Sequence, residues 1–262
     1  MVHRTLEKVI RAGLLAAAAV IAVAQTPAVA QSGAPASNPA KHTAVQPVPR
    51  ADGWWQQRHA RIVEQARREP CELVFLGDSI TQGWEDAGKQ VWAERYGSRH
   101  ALNAGISGDR TQHVLWRLEN GLLEALADAG DARAAPKLVV VMIGTNNSNG
   151  EDHTAREIAD GVTAIVGLLR ERLPQTRVLL LSIFPRNEKP DAQRIKNAEA
   201  SRLAAACADG KTVRALDIGE KFLAPDGTLP RDIMPDLLHL SPRGYEIWAE
   251  ALEPALHEML GE

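Results

Sequence analysis

The chain has 262 residues, with 30 Lys and Arg against 33 Asp and Glu and a formal net charge of −3. So near a balance excludes a broad electrostatic attraction to nucleic acid or to an anionic membrane. Two thiols, Cys71 and Cys207, without a clustered histidine pattern do not make a metal site, and they are read as two independent buried thiols.

Residues 1–30 read as a secretory signal. His3, Arg4, Lys8 and Arg11 form a basic start, an apolar stretch runs from Ala12 to Ala24, and Ala28-Val29-Ala30 supplies a small-residue cleavage site. Twin arginines are absent from the start and no Cys follows the apolar stretch, so the expectation is general export, periplasmic or secreted, without a lipid anchor. No later segment approaches the roughly 20 apolar residues that a membrane span needs, which argues against stable membrane insertion. Residues 31–50, rich in Ala, Pro, Ser and Gln, read as a disordered linker. The remainder, 51–262, suits one domain with a sizeable core.

Within that domain strand-like and helical patterns alternate. A helix is expected over 54–69, followed by a strand at Glu72–Leu76. A short strand at Ala101–Asn103 precedes a helix over 110–128. The runs Lys137–Ile143 and Arg177–Ile183 are nearly unbroken in apolar residues, as fits strands buried on both faces of a parallel sheet. Helices over 154–173 and 190–208 follow them. In the first of these, Ile158, Val162, Ile165, Val166 and Leu169 recur at helical spacing. A strand at Val213–Asp217 and a helix over 242–260, with Ser241-Pro242 as its cap and first position, complete the chain. Such alternation predicts an α/β three-layer α/β/α sandwich with right-handed crossovers.

Each of the first three strands ends in a turn of small and polar residues: Gly77-Asp78-Ser79, Asn103 to Asp109, and Gly144-Thr145-Asn146-Asn147. Ligands of open α/β folds bind at that carboxyl edge. Ser79 is the first nucleophile candidate there. It needs a base, and the base needs an orienting carboxylate. His239 follows Asp236 by three residues in a loop ahead of a helix, a spacing that can bring the carboxylate to Nδ1 and leave Nε2 facing Ser79. An acyl-transfer intermediate further needs donors aimed at its oxyanion. The Ser79 and Gly105 N–H groups and the Asn146 side-chain amide are the candidates for this oxyanion hole. Trp84, a few residues past Ser79, is a candidate pocket wall. Arg186, after the fourth strand, is a candidate for meeting a polar leaving group, and a charged loop explains it equally well.

The blocks Gly77-Asp78-Ser79-Ile80, Asn103-Ala104-Gly105, Gly144-Thr145-Asn146-Asn147 and Asp236 to His239 resemble, in order, those of the GDSL-type esterases or SGNH hydrolases. Three further stretches, His113 to Leu118, Pro185 to Pro190 and Asp236 to Leu240, resemble the platelet-activating factor acetylhydrolase-like branch of that family. The resemblance implies a flavodoxin-like sheet of five parallel strands, no cofactor, and a triad of Ser79, His239 and Asp236. It implies Gly105 and Asn146 as oxyanion donors beside Ser79. It leaves a homodimer open, since the related subunits pair. Asp78 is read as bracing the nucleophile turn. The expected activity is that of a serine esterase acting on short acyl esters, acetyl in particular, with acetylated carbohydrate as one substrate class. The alternatives are a lysophospholipase or thioesterase, and a catalytically silent glycan-binding module.

Overall fold

The computed structural model of the chain describes residues 42–127 and 135–262; the signal segment read over 1–30 lies outside them. Five parallel strands form one sheet: β1 (Leu73–Gly77), β2 (Ala101–Gly105), β3 (Leu138–Met142), β4 (Arg177–Leu181) and β5 (Val213–Leu216). Their spatial order is β2-β1-β3-β4-β5, the flavodoxin-like doubly wound order, with its switch point between β1 and β3. Gly77 is in register with both Gly105 and Met142, so the three turns singled out in the sequence leave the sheet side by side.

Successive side chains of a strand point to opposite faces, and the apolar runs fill both. Val74, Leu76, Val139, Val141, Val178 and Leu180 pack under α1 (Gly53–Arg68), α4 (Thr111–Arg117), α5 (Leu123–Ala127) and α6 (Ala155–Arg172). Leu73, Phe75, Leu138, Val140, Leu179 and Leu181 pack on the other face with α3 (Lys89–Arg95) and α8 (Pro242–Leu260). The four-residue α2 (Ser79–Gln82) and the longer α7 (Ala192–Ala204) complete the set. The predicted helix over 110–128 is broken by a π-helical turn at Leu118–Leu122, where Gly121 takes φ +106°. Cys71 and Cys207 share no disulfide, and both are half-buried against the first of these cores. Among the described residues no helix is long and apolar enough to cross a membrane.

Residues 42–50, expected as the end of a disordered linker, are packed onto the domain. Ala44 is buried and its carbonyl accepts from Thr111 Oγ1 at 2.8 Å, while Thr43 Oγ1 lies 2.8 Å from His153 Nε2. The composition of this stretch carries no apolar period, so its order comes from specific polar contacts instead. The folded unit therefore begins upstream of the predicted boundary at residue 51.

Candidate active site

Ser79 opens α2 directly after β1. Asp78 caps that helix, its Oδ1 accepting from Ile80 N at 3.0 Å. The close packing of α2 on β2 explains Gly105: a Cβ there would sit 2.3 Å from Gln82 N. Opposite, Asp236 folds the loop before α8 around its own carboxylate. Its Oδ1 accepts from Leu238 N at 3.1 Å and His239 N at 2.7 Å, an Asx-type turn. Leu237 takes φ +64° to allow it, and its carbonyl is held by Asn187 N at 2.9 Å. The other carboxylate oxygen, Oδ2, lies 2.6 Å from His239 Nδ1, and His239 Nε2 lies 2.9 Å from Ser79 Oγ. The three residues thus form one unbroken hydrogen-bonded line. Histidine and aspartate keep part of their surface in water, their side chains being 45% and 57% exposed. Hydrogen bonds from His239 hold the Asp236 carboxyl below its usual range, against a desolvation that pushes the other way.

The turn after β2 departs from expectation at one atom. Gly105 N donates to Asn103 Oδ1 at 2.9 Å, so this N–H is already used. Further along, Ser107 N donates to Gln82 Oε1 at 2.8 Å and Asp109 N closes onto Ile106 O at 3.1 Å. Between them Gly108, at φ +76°, presents an N–H that meets no acceptor among the described residues. The positive φ is what glycine permits at low cost. The sequence reading missed Gly108; its signal was a second glycine in the same turn.

Asn146, in the turn after β3, donates one amide hydrogen to Asp109 O at 2.9 Å. An amide carries two, so the other is left for a ligand. The neighbouring Asn147 is structural. It is fully buried, accepts from Thr111 N at 2.9 Å and donates towards Thr111 Oγ1 and Gln112 Oε1.

Behind these turns lies a buried ion pair that the sequence did not announce. Asp109 and Arg117 are both 0% exposed, with Asp109 Oδ2 2.8 Å from Arg117 Nε, and neither atom has another polar partner. Asp109 Oδ1 accepts from Trp55 Nε1 at 2.6 Å. Arg117 donates to Ala104 O at 2.8 Å and to Gly77 O at 3.2 Å, joining the ends of β2 and β1. One ion pair therefore braces the chain leading into Ser79, the turn bearing Gly108, and the amide of Asn146.

A cleft of about 260 Å³ opens beside Ser79, lined by Gln82, Gly83, Asp86, Ala87, Ser107, His239, Leu240 and Tyr245. Trp84 does not line it. Trp84 is 1% exposed and packs at 4.5 Å from Tyr245 and 4.9 Å from Trp248 between ring centroids, so the wall role passes to Tyr245. Arg186 also stands behind the surface, reaching Thr145 Oγ1 at 3.3 Å and Asn149 Oδ1 at 3.2 Å. It braces the Asn146 turn, and it feels the charges of Asp78 and Asp236.

With the geometry in place, residues 75–247 match the GDSL-like lipase/acylhydrolase family. The chain belongs to that family. It is 42% identical over 227 residues to platelet-activating factor acetylhydrolase IB subunit alpha1 of Homo sapiens, covering 86% of this chain and 92% of that one. To the alpha2 subunit of Rattus norvegicus it is 38% identical over 225 residues, covering 86% and 91%. Among solved structures, a carbohydrate acetylesterase from Sinorhizobium meliloti matches the fold with a TM-score of 0.55 at 23% identity, covering 72% of this chain and 99% of the other. Family membership makes the protein a carboxylic ester hydrolase of the α/β SGNH fold.

Asp78 adds a pH dependence to this family site. It is fully buried with Oδ2 unpartnered, and burial pushes its carboxyl up to about 7. The folded chain thus binds the Asp78 proton more tightly than the unfolded chain. Its stabilising effect is complete at low pH and is lost as pH rises towards and through 7. Asp78→Asn keeps an acceptor for Ile80 N and removes the ionisation. The variant is expected to gain on the wild type, by on the order of a few kcal/mol, between pH 5 and pH 8. Urea midpoints at the two pH values measure this, and a difference that stays constant would contradict it.

Proposed function

We propose that the protein hydrolyses short-chain acyl esters, acetyl esters above all, through Ser79, His239 and Asp236 and an acyl-enzyme. The observation that carries this reading is the continuous line from Ser79 Oγ through His239 to Asp236, at 2.9 and 2.6 Å, facing an open cleft. His239 Nε2 takes the Ser79 proton as Oγ attacks the ester carbonyl, and Asp236 stabilises the imidazolium that forms. Charge builds on the carbonyl oxygen, where the Ser79 and Gly108 N–H groups and the free amide hydrogen of Asn146 receive it. Gly108 replaces Gly105 in this role because the Gly105 N–H is committed to Asn103. His239 then protonates the leaving alcohol, and water repeats the sequence on the acyl-enzyme. These groups account for every proton moved.

The cleft supports a short acyl group, since its apolar lining is confined to Ala87, Leu240 and the Tyr245 ring. For the alcohol we favour acetylated carbohydrate, a class consistent with the named activity of the Sinorhizobium meliloti structure and with the export read from residues 1–30. We place the enzyme in the periplasm or outside the cell on that leader. The competing reading is a lipid hydrolase, favoured by the names of the acetylhydrolase relatives. A p-nitrophenyl ester series from acetyl to palmitoyl decides the acyl side. The acetyl ester is expected to exceed the palmitoyl ester in kcat/KM by about a hundredfold or more, each buried methylene being worth about 0.8 kcal/mol only where a trough exists to hold it. A rate that rises with chain length would overturn the short-acyl reading.

A further inference from the structure

Of the six tryptophans only Trp54 is exposed, at 47%. It stands at the start of α1, tied to the cleft by one chain of contacts through Arg50 and set by helical spacing beside Arg58. On one side the Arg50 guanidinium carbon lies 5.1 Å over the Trp54 ring, while Arg50 Nη1 donates to Ser107 O at 2.7 Å. Ser107 lines the cleft with Ser79. On the other side Arg58, one helical turn along the same face of α1, donates to Gly105 O at 2.8 Å and to both carboxylate oxygens of Glu85 at 2.8 and 2.7 Å. The next residue, Asp86, lines the cleft. The indole therefore stands one side chain, Arg50, away from the cleft-lining Ser107.

The charges near Trp54 and the cleft discriminate among ligands. Arg50 is paired with Asp52 at 3.1 Å and Arg58 with Glu85 at 2.7 Å. Neither cation is left to neutralise a phosphate. The spare charge is negative: Asp86 is exposed and makes no ion pair among the described residues. The apolar side chains lining the cleft are only Ala87, Leu240 and the Tyr245 ring, a short surface for an alkyl chain. What this surface offers is one flat apolar ring, a carboxylate, and the side-chain amide of Gln82. A pyranose matches that set, because its axial C–H face is apolar and its equatorial hydroxyls donate and accept.

We propose that Trp54 is the stacking platform for the sugar ring of the leaving alcohol, with Asp86 and Gln82 taking its hydroxyls. Arg50 fixes the angle of the ring. Placing the sugar here rests on reading Ser79 as the attacking group, whereas the sugar binding itself does not.

Calorimetric titration separates the two. The full chain carrying Ser79→Ala is titrated with acetylated xylo-oligosaccharide, and again with Trp54→Ala or Trp54→Phe added. The expected result is affinity roughly fivefold weaker with Ala and largely kept with Phe, the usual worth of one aromatic stacking contact. In otherwise unmodified enzyme, Trp54→Ala should lower kcat/KM on the acetylated oligosaccharide by several-fold more than on p-nitrophenyl acetate, with the loss in KM. Equal affinity with and without Trp54 overturns the platform. Binding of lysophosphatidylcholine micelles that depends on Trp54, with no binding of the oligosaccharide, overturns it in favour of a lipid headgroup. Oligosaccharide binding that needs Trp54, in a chain whose esterase activity survives Ser79→Ala, sinks the reading of Ser79 and leaves the platform standing.

Discussion

Ser79→Ala is expected to lower kcat for p-nitrophenyl acetate by roughly a millionfold, with melting and circular dichroism unchanged. The hydroxyl is half-buried and its partner is His239 Nε2. His239 stays anchored through Nδ1 to Asp236, so removal of the hydroxyl leaves no buried group without a partner, and a stability change under about 1 kcal/mol follows. Because the residues act as a unit, Ser79→Ala/His239→Ala should be no slower than either single variant. Asp236→Asn tests the third member. Asn keeps the acceptor for His239 N and Leu238 N, yet turns an N–H towards Nδ1 and favours the wrong imidazole tautomer, an error worth about 10⁴-fold in kcat in serine proteases. Wild-type rates in Ser79→Ala would show that another group attacks the ester.

The arrangement of these groups was legible where it depended on local pattern. Apolar runs such as Leu138 to Ile143 located the strands because a doubly covered parallel sheet leaves no polar face to interrupt them. The Asp236-His239 spacing located the dyad because an Asx turn fixes that geometry within four residues. Gly108 was not separable from Gly105 in the sequence. The choice turns on which N–H the Asn103 side chain occupies, and that depends on how the turn folds. Trp84 lies near Ser79 along the chain, but the 3-10 turn at Gly83–Glu85 that follows α2 carries it into the aromatic core behind Tyr245. The segment 42–50 read as disordered because its anchoring partners, Thr111 and His153, lie far along the chain. The pairing of Asp109 with Arg117 was not legible, because nothing in an amphipathic helix marks an arginine that closes two strand ends.

That ion pair yields the second large effect. Asp109→Asn is expected to cost about 3–5 kcal/mol of stability. It keeps an acceptor for Trp55 Nε1 yet leaves the fully buried Arg117 cation without its counter-charge. Arg117→Met should cost as much for the converse reason, stranding the Asp109 carboxylate and leaving Gly77 O and Ala104 O without their donors. Joining Arg117→Met to Asp109→Leu removes both charges, and replacing a buried pair by apolar groups of similar size is often neutral or stabilising. The part of the urea midpoint lost to an unpaired charge should therefore return in the double variant, while the unpartnered Gly77 O, Ala104 O and Trp55 Nε1 keep it below the wild type. Activity should not return. Gly77 O directly precedes the Ser79 turn, and Asp109 O orients the Asn146 amide, so these carbonyls are free to drift once the guanidinium and the pinned carboxylate are gone. The expected double variant is folded, with kcat on p-nitrophenyl acetate still reduced and KM near the wild-type value, because the loss falls on transition-state contacts. Recovery of kcat together with stability would show that the pair only holds the fold. Recovery of stability without kcat would show that these buried charges hold the catalytic turns in position.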